Sequence, residues 1–318
     1  MKVSIVIPTY NEQKVIKKTL DALIALTYPG VEIIVVDDST DDTPNLVSQY
    51  ASQGVTLIHP GGGGRCEARN IGIMKATGDI ICVLNADVLL PEDFFERIIP
   101  HYKNGADFVV VGSKVTNTRH IYARYVDCCA LKKHHEFPNP DWPLWTEGFT
   151  CRRDWLIKVG LFPAGFPIAM YAGEDIYLAE KLIAAGAKKI TDLSIVVKHI
   201  APDTFHEYWK FRKSRGRASS QYHRYISRWP WWKLTLWNSI KSIFLIFRLI
   251  TIFPIIFYCY SITRFSTFGK ADLFKLVYAH ILEKIAFTYG LWQEMFVMFE
   301  RERVTQWNFE THSYSESN

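Results

Sequence analysis

Residues Ile80–Phe94 read IICVLNADVLLPEDF. The apolar run up to Leu84 goes straight into Asn85-Ala86-Asp87, and a second apolar run follows. A short apolar segment bounded by polar residues is predicted to be a strand buried on both faces, as in parallel sheets covered by helices. A carboxylate at the end of such a strand stands where these sheets bind ligands, beyond the carboxyl ends of the strands.

The same pattern recurs on either side. Apolar strands are predicted at Val3–Pro8, Val31–Val36, Val55–Ile58, Asp79–Leu84 and Phe108–Gly112. Helices are predicted at Glu12–Leu26, Asp42–Ser52 and Cys66–Ala76, with another opening at Pro91. Strands alternating with helices predict an α/β fold, a doubly wound and mostly parallel sheet with helices on both faces. Pro8-Thr9-Tyr10-Asn11 and Asp37-Asp38-Ser39 then end strands at the same edge as Asn85-Ala86-Asp87. Taken singly, each acidic cluster also reads as a solvated turn or a helix N-cap.

At 318 residues the chain accommodates one large domain with an appendage, or two modest domains. Six cysteines form no CxxC pair and no zinc-like spacing, so reduced thiols in a cytosolic setting are expected. The apolar run after Met1 is too short for a secretory leader and reads as the first buried strand. Residues 116–198 mix turns and aromatics, with a helix expected near Gly173–Ala185 and a strand at Ile195–Val197.

The remainder of the chain has a different character. Between residues 198 and 250, eleven Lys and Arg face only Asp203 and Glu207, a local net charge of +9 against +5 for the whole chain. Ser242–Thr263, SIFLIFRLITIFPIIFYCYSIT, carries one charge in 22 residues, and spans a bilayer only if Arg248 is tolerated and Pro254 merely kinks it. Leu273–Phe299 reads as an amphipathic, aromatic-rich helix. A basic approach followed by aromatic helices suits a membrane interface; the alternative is a buried helical subdomain or a dimer surface.

Four segments in order, VSIVIPTYNE, IIVVDDSTDDT, ARNIGIMKATGDIICVLNADVLL and GEDIYLAEKLIAAGAK, resemble the family 2 inverting glycosyltransferases of GT-A fold over about residues 1–200. The resemblance implies a nucleotide-sugar donor and a divalent cation, Mn²⁺ or Mg²⁺. The family's DxD motif reads Asn85-Ala86-Asp87 here, with Asp87 the implied metal ligand. Asn85 departs from the pattern by dropping a charge. Pro8, Tyr10, Glu12 and Asp38 match positions that cradle the donor's base and ribose, and Arg69 matches a base-side arginine. Asp175 is the implied catalytic base with Glu174 beside it; read from residues alone, Asp175 caps a helix. His199 falls where some relatives place a further metal ligand, or is structural.

Gly61–Gly64 is a phosphate-approaching loop or simply a mobile one. Arg215, Arg217 and Arg224 are candidates for a phosphate clamp on the donor or a lipid-linked acceptor, or form a solvated basic face. Gln221 to Tyr225 faintly resembles the QxxRW signature of processive synthases, with Tyr225 in place of Trp. The expected organisation is a catalytic domain at 1–200, a basic linker or helix at 201–232 and a membrane-associating helical region at 233–318. The expected function is inverting transfer of a sugar to a hydroxyl or phosphate acceptor, lipid-linked, at the cytoplasmic face of the cell membrane. Two alternatives stay open: a soluble transferase for protein or free saccharide with a dimerising C-terminal region, and a non-catalytic nucleotide-sugar scaffold. Nucleic acid is not an expected partner, and neither the sugar, the base nor the oligomeric state is legible.

Overall fold

The computed structural model describes residues 1–136 and 147–307. By packing, the chain divides into two units. The first comprises residues 1–114, 147–164 and 174–200, and the second residues 115–136, 165–173 and 201–307.

The sheet of the first unit runs β3-β2-β1-β4-β7-β6-β8-β5. Its strands are β1 (Val3–Thr9), β2 (Val31–Asp37), β3 (Val55–Ile58), β4 (Ile80–Val83), β5 (Val88–Leu89), β6 (Phe108–Val115), β7 (Phe149–Arg152) and β8 (Lys189–His199). The half from β3 to β4 is parallel, with Val3 opposite both Val31 and Ile80. Beyond β4 the chain pairs antiparallel: β4 with β7, β7 with β6, and β5 with the end of β8.

The helices of this unit are α1 (Ile16–Ile24), α2 (Thr43–Ser48), α3 (Gly64–Lys75), α4 (Phe94–Lys103), α6 (Arg153–Lys158) and α7 (Glu174–Ala184). Ile5, Ile7, Ile33, Val35, Cys82, Phe94, Phe95, Val109 and Val197 form its buried core; each large aliphatic or aromatic side chain so buried contributes about 1.5–3 kcal/mol. Gly72 lets α3 lie on β1, since a Cβ there would stand 2.4 Å from Val6 Cγ1. The α/β expectation holds, with β3 at its predicted bounds and β8 running six residues earlier than the predicted start at Ile195.

In the second unit, α5 (Ile121–Glu136), α8 (Phe205–Gln221), a single π-helical turn at Tyr222–Ile226, α9 (Trp231–Thr251), α10 (Phe253–Ile262) and α11 (Leu273–Thr305) pack together. The α8 and α11 backbones touch: a Cβ on Gly216 would stand 1.9 Å from Phe287 O, and one on Gly290 2.1 Å from Lys213 O. Tyr125, Tyr208, Ile255, Cys259 and Leu276 form a shared core. The Ser242–Thr263 run is not one helix. It breaks at Ile252, which has φ of 49°, and Pro254 opens α10, where its missing N–H costs nothing. The segment 201–232, expected as a basic linker or helix, is mostly α8, and three of its arginines face carboxylates of α11: Arg212 with Glu283 (3.5 Å), Arg217 with Glu294 (2.5 Å) and Arg224 with Glu302 (2.5 Å).

Candidate active site

Three groups of polar side chains gather at the carboxyl ends of the first unit's parallel strands. The first lies after β1 and β2. Thr9 Oγ1 donates to Asp37 Oδ1 at 2.6 Å, and Thr40 N donates to Asn11 Oδ1 at 2.9 Å, tying the two strand ends together. Tyr10 is exposed, and Pro8, Glu12 and Asp38 are half-buried beside it. Asp38 Oδ1 accepts from Gly62 N at 3.0 Å, so the glycine loop is latched to this edge. Gly61 to Gly64 all have positive φ, between 76° and 115°, which is why side-chain-bearing residues are absent there.

The second group is buried. Arg69 on α3 is fully inaccessible; its Nη1 lies 2.6 Å from Glu174 Oε1, its Nη2 donates to Asn85 Oδ1 at 2.9 Å, and its guanidinium stands 5.0 Å from the Phe162 ring centre. One arginine thus joins the end of β4 to the start of α7. Burial pushes the Glu174 carboxyl up, but Arg69 and, at 3.7 Å, Arg65 outweigh it and hold it well below the usual carboxylate range. Asp175, the next residue, is only half-buried; its Oδ1 accepts from Ile176 N at 2.9 Å in the first turn of α7, where the helix dipole also favours negative charge.

The third group forms where β5 pairs with β8, placing Val88 opposite His199. Asp87 Oδ2 lies 3.1 Å from His199 Nε2, and Asp87 Oδ1 is buried without a hydrogen-bond partner. Burial raises the Asp87 carboxyl, while the His199 hydrogen bond and charge, with Arg65, more than offset it and lower it. Glu147 Oε1 stands 3.5 Å from His199 Nδ1, and Ser113 Oγ donates to Glu147 Oε2.

A divalent cation fits this third group. An unsatisfied carboxylate oxygen beside an imidazole nitrogen supplies donors that Mn²⁺ accepts. No group of three or more His, Cys, Asp or Glu side chains that could hold a metal ion occurs among the described residues.

Of the residues singled out in the sequence, Arg69, Asn85 and Glu174 meet, Asp87 and His199 meet, and Asp38 holds the glycine loop. Ala86 is buried between the two ends of its motif. Arg215, Arg217 and Arg224 belong to the second unit: Arg215 is exposed over the Phe211 ring, while Arg217 and Arg224 are paired with α11. Sequence reasoning did not find Glu147 or Ser113, because nothing local in GSKV or TEGF marks either residue.

The profile of the glycosyl transferase family 2 matches residues 4–162, half of the chain. The chain belongs to glycosyl transferase family 2. It is 29% identical over 263 residues to dolichol-phosphate mannosyltransferase of Pyrococcus furiosus, covering 76% of this chain and 67% of that protein. It is 40% identical over 95 residues to the probable glycosyltransferase YdaM of Bacillus subtilis, covering 27% of this chain and 23% of that one. The family 2 chain therefore spans less than a quarter of the latter's length. Among solved structures, mannosyltransferase PcManGT from Pyrobaculum calidifontis, in complex with GDP-Man and Mn²⁺, superposes with a TM-score of 0.54 at 20% identity over 95% of this chain and 75% of that one. The family 2 chain shares its GT-A fold.

Proposed function

We propose that this family 2 chain is an inverting, divalent-cation-dependent glycosyltransferase that moves a sugar from a nucleotide-sugar donor to a lipid-linked acceptor at the membrane surface. The observation that carries the reading is Asp87: a lowered carboxylate, hydrogen-bonded to His199 and keeping one buried oxygen unpartnered at a strand end. A bound Mn²⁺ or Mg²⁺ would stabilise the charge that develops on the departing nucleoside diphosphate. Asp87 and His199 are the residues that would hold it. Tyr10 and Asp38 bind the base and ribose at the neighbouring edge, and the latched glycine loop presents backbone N–H groups toward the donor.

The two acids at the start of α7 divide their roles. Glu174 stays ionised against Arg69 and positions the helix, so it is not the base. Asp175, half-exposed, accepts the acceptor's hydroxyl proton as that oxygen attacks the anomeric carbon from the face opposite the leaving group.

The second unit supports the lipid part of the reading. Helix α9 has 21 residues, is long and apolar enough to cross a membrane, and buries only Leu234 and Asn238. Ile243, Phe244, Phe247, Ile250, Phe253 and Phe257 are each more than half exposed. Lys233 stands 4.3 Å from the Trp229 ring centre and Lys241 4.4 Å from Trp237, an arrangement of amphipathic rings and snorkelling cations suited to headgroups. In the same unit a mainly apolar groove of about 710 Å³ is lined by Pro167, Ile168, Tyr171, Phe296 and Val297, with Arg217, Glu300 and Arg301 at its polar parts.

A thermal-shift screen of UDP- and GDP-sugars with and without Mn²⁺ tests the donor reading. One donor is expected to raise the melting temperature only with the ion, and Asp87→Ala to abolish that rise. A cation-independent shift retained by Asp87→Ala would overturn it.

A further inference from the structure

Asp87 and His199 have a third associate that the family motifs do not contain. Glu147, just before β7, has its Oε1 3.5 Å from His199 Nδ1, on the ring edge opposite Asp87. Its other oxygen accepts the Ser113 hydroxyl from β6. Glu147 and His199 side chains are 21% and 12% exposed, too enclosed for this to be a solvated surface encounter. The backbone carrying Glu147 is also held close. Gly148 has φ of +76°, and a Cβ there would stand 2.8 Å from Val197 and 3.1 Å from Val111, so only glycine lets the chain lie against the two strands that bear His199 and Ser113.

We propose that Glu147 is the positioning residue of the cation site. Glu147 Oε1, 3.5 Å from Nδ1 of His199, favours the tautomer with the proton on that nitrogen; Nε2 would then exchange its contact with Asp87 Oδ2 for the ion, which it would share with the unpartnered Asp87 oxygen. Ser113 fixes the far oxygen of Glu147 and completes a chain from β6 through the loop before β7 to the end of β8. A carboxylate on the outer nitrogen of a metal-binding histidine sets its tautomer and ring orientation, and losing it typically weakens metal binding about 10- to 100-fold. This inference rests on the cation reading of Asp87 proposed above.

The test is a Mn²⁺ titration of the full chain, read from the electron paramagnetic resonance of free Mn²⁺ in the presence of GDP and, separately, UDP. Glu147→Ala is expected to weaken Mn²⁺ about 10- to 100-fold, with the melting temperature in EDTA unchanged. Glu147→Gln, whose amide oxygen accepts the same N–H without the charge, is expected to restore most of the loss. Wild-type affinity in Glu147→Ala overturns the proposal, as does a Gln variant as weak as Ala, because the effect is then of charge. A loss matched by a lower melting temperature in EDTA overturns it in favour of a purely structural glutamate. Wild-type protein that takes up no Mn²⁺ overturns instead the cation reading beneath it.

Discussion

Both units pair acids with bases, but they use the pairs differently. In the first, Arg69–Glu174 and His199–Asp87 sit at strand ends, and Asp87 retains an unpartnered oxygen. In the second, the pairs lie along helix flanks and close on themselves: Arg124 grips both oxygens of Asp272, with Ser266 donating to one of them, and Glu294 accepts from both Arg217 and Gln221. The first pattern leaves coordination capacity for a ligand, and the second fastens helices. A basic stretch in a sequence is therefore not yet a basic surface.

The largest effect expected from breaking this comparison is catalytic. Asp175→Asn should lower turnover about 10²- to 10⁴-fold while leaving the donor-induced melting shift in place; turnover near wild type would mean another group takes the proton. Next comes stability. Glu174→Gln leaves a fully buried Arg69 without its carboxylate and should cost about 3–5 kcal/mol, measured by urea unfolding, and a loss below about 1 kcal/mol would show that Arg65 or water compensates.

A smaller effect is expected at the second unit's surface. Lys233→Ala with Lys241→Ala should weaken binding to vesicles rich in phosphatidylserine by about 2 kcal/mol, roughly thirtyfold, since each cation near an anionic bilayer contributes about 1 kcal/mol. Binding to neutral vesicles should hardly change, and an equal loss on both would shift the weight to the apolar face.

The smallest is a difference in pH dependence. Glu174 is lowered in the folded chain, so its contribution is full above the ordinary glutamate value near 4.3 and is lost as pH falls through the lowered one. Glu294 is raised, because burial outweighs Arg217 and Gln221; its contribution is full below that ordinary value and is lost as pH climbs through the raised one. Melting curves from pH 3 to 7 should therefore show Glu174→Gln flattening the acid limb and Glu294→Gln flattening the decline on the neutral side. Parallel curves for the two variants would erase the contrast.

The strand and helix alternation before residue 115 was legible because most elements there declare themselves locally, by apolar run or helical period; the two-residue β5 (Val88–Leu89), defined by its pairing with β8, does not. Helix α5 was not: its buried residues Tyr122, Tyr125 and Cys128 face Ile255, Cys259 and Leu276, so its pattern makes sense only with partners more than a hundred residues away. The pairing of Arg212, Arg217 and Arg224 was hidden for the same reason, as Glu283, Glu294 and Glu302 follow 71 to 78 positions later. Strand β7 is four residues long with Thr150 at its centre, and offers no period to read. The motif positions were visible as a set, yet nothing in the sequence explained Asn85. The structure supplies one: its amide oxygen takes a hydrogen bond from Arg69, whose charge Glu174 already neutralises, and an aspartate there would set two carboxylates on one buried guanidinium.

The pairing of Val88 with His199 and Leu89 with Lys198 is only two residues long. Because neighbouring residues of a strand point to opposite faces, a shift of one position along β8 would turn Lys198 toward Asp87 and carry the imidazole to the other side. The site is thus addressed by counting along β8 as much as by chemistry. A single inserted or deleted residue between Ile195 and His199 would part the imidazole from Asp87 while the hydrophobic sheet beneath it still folded.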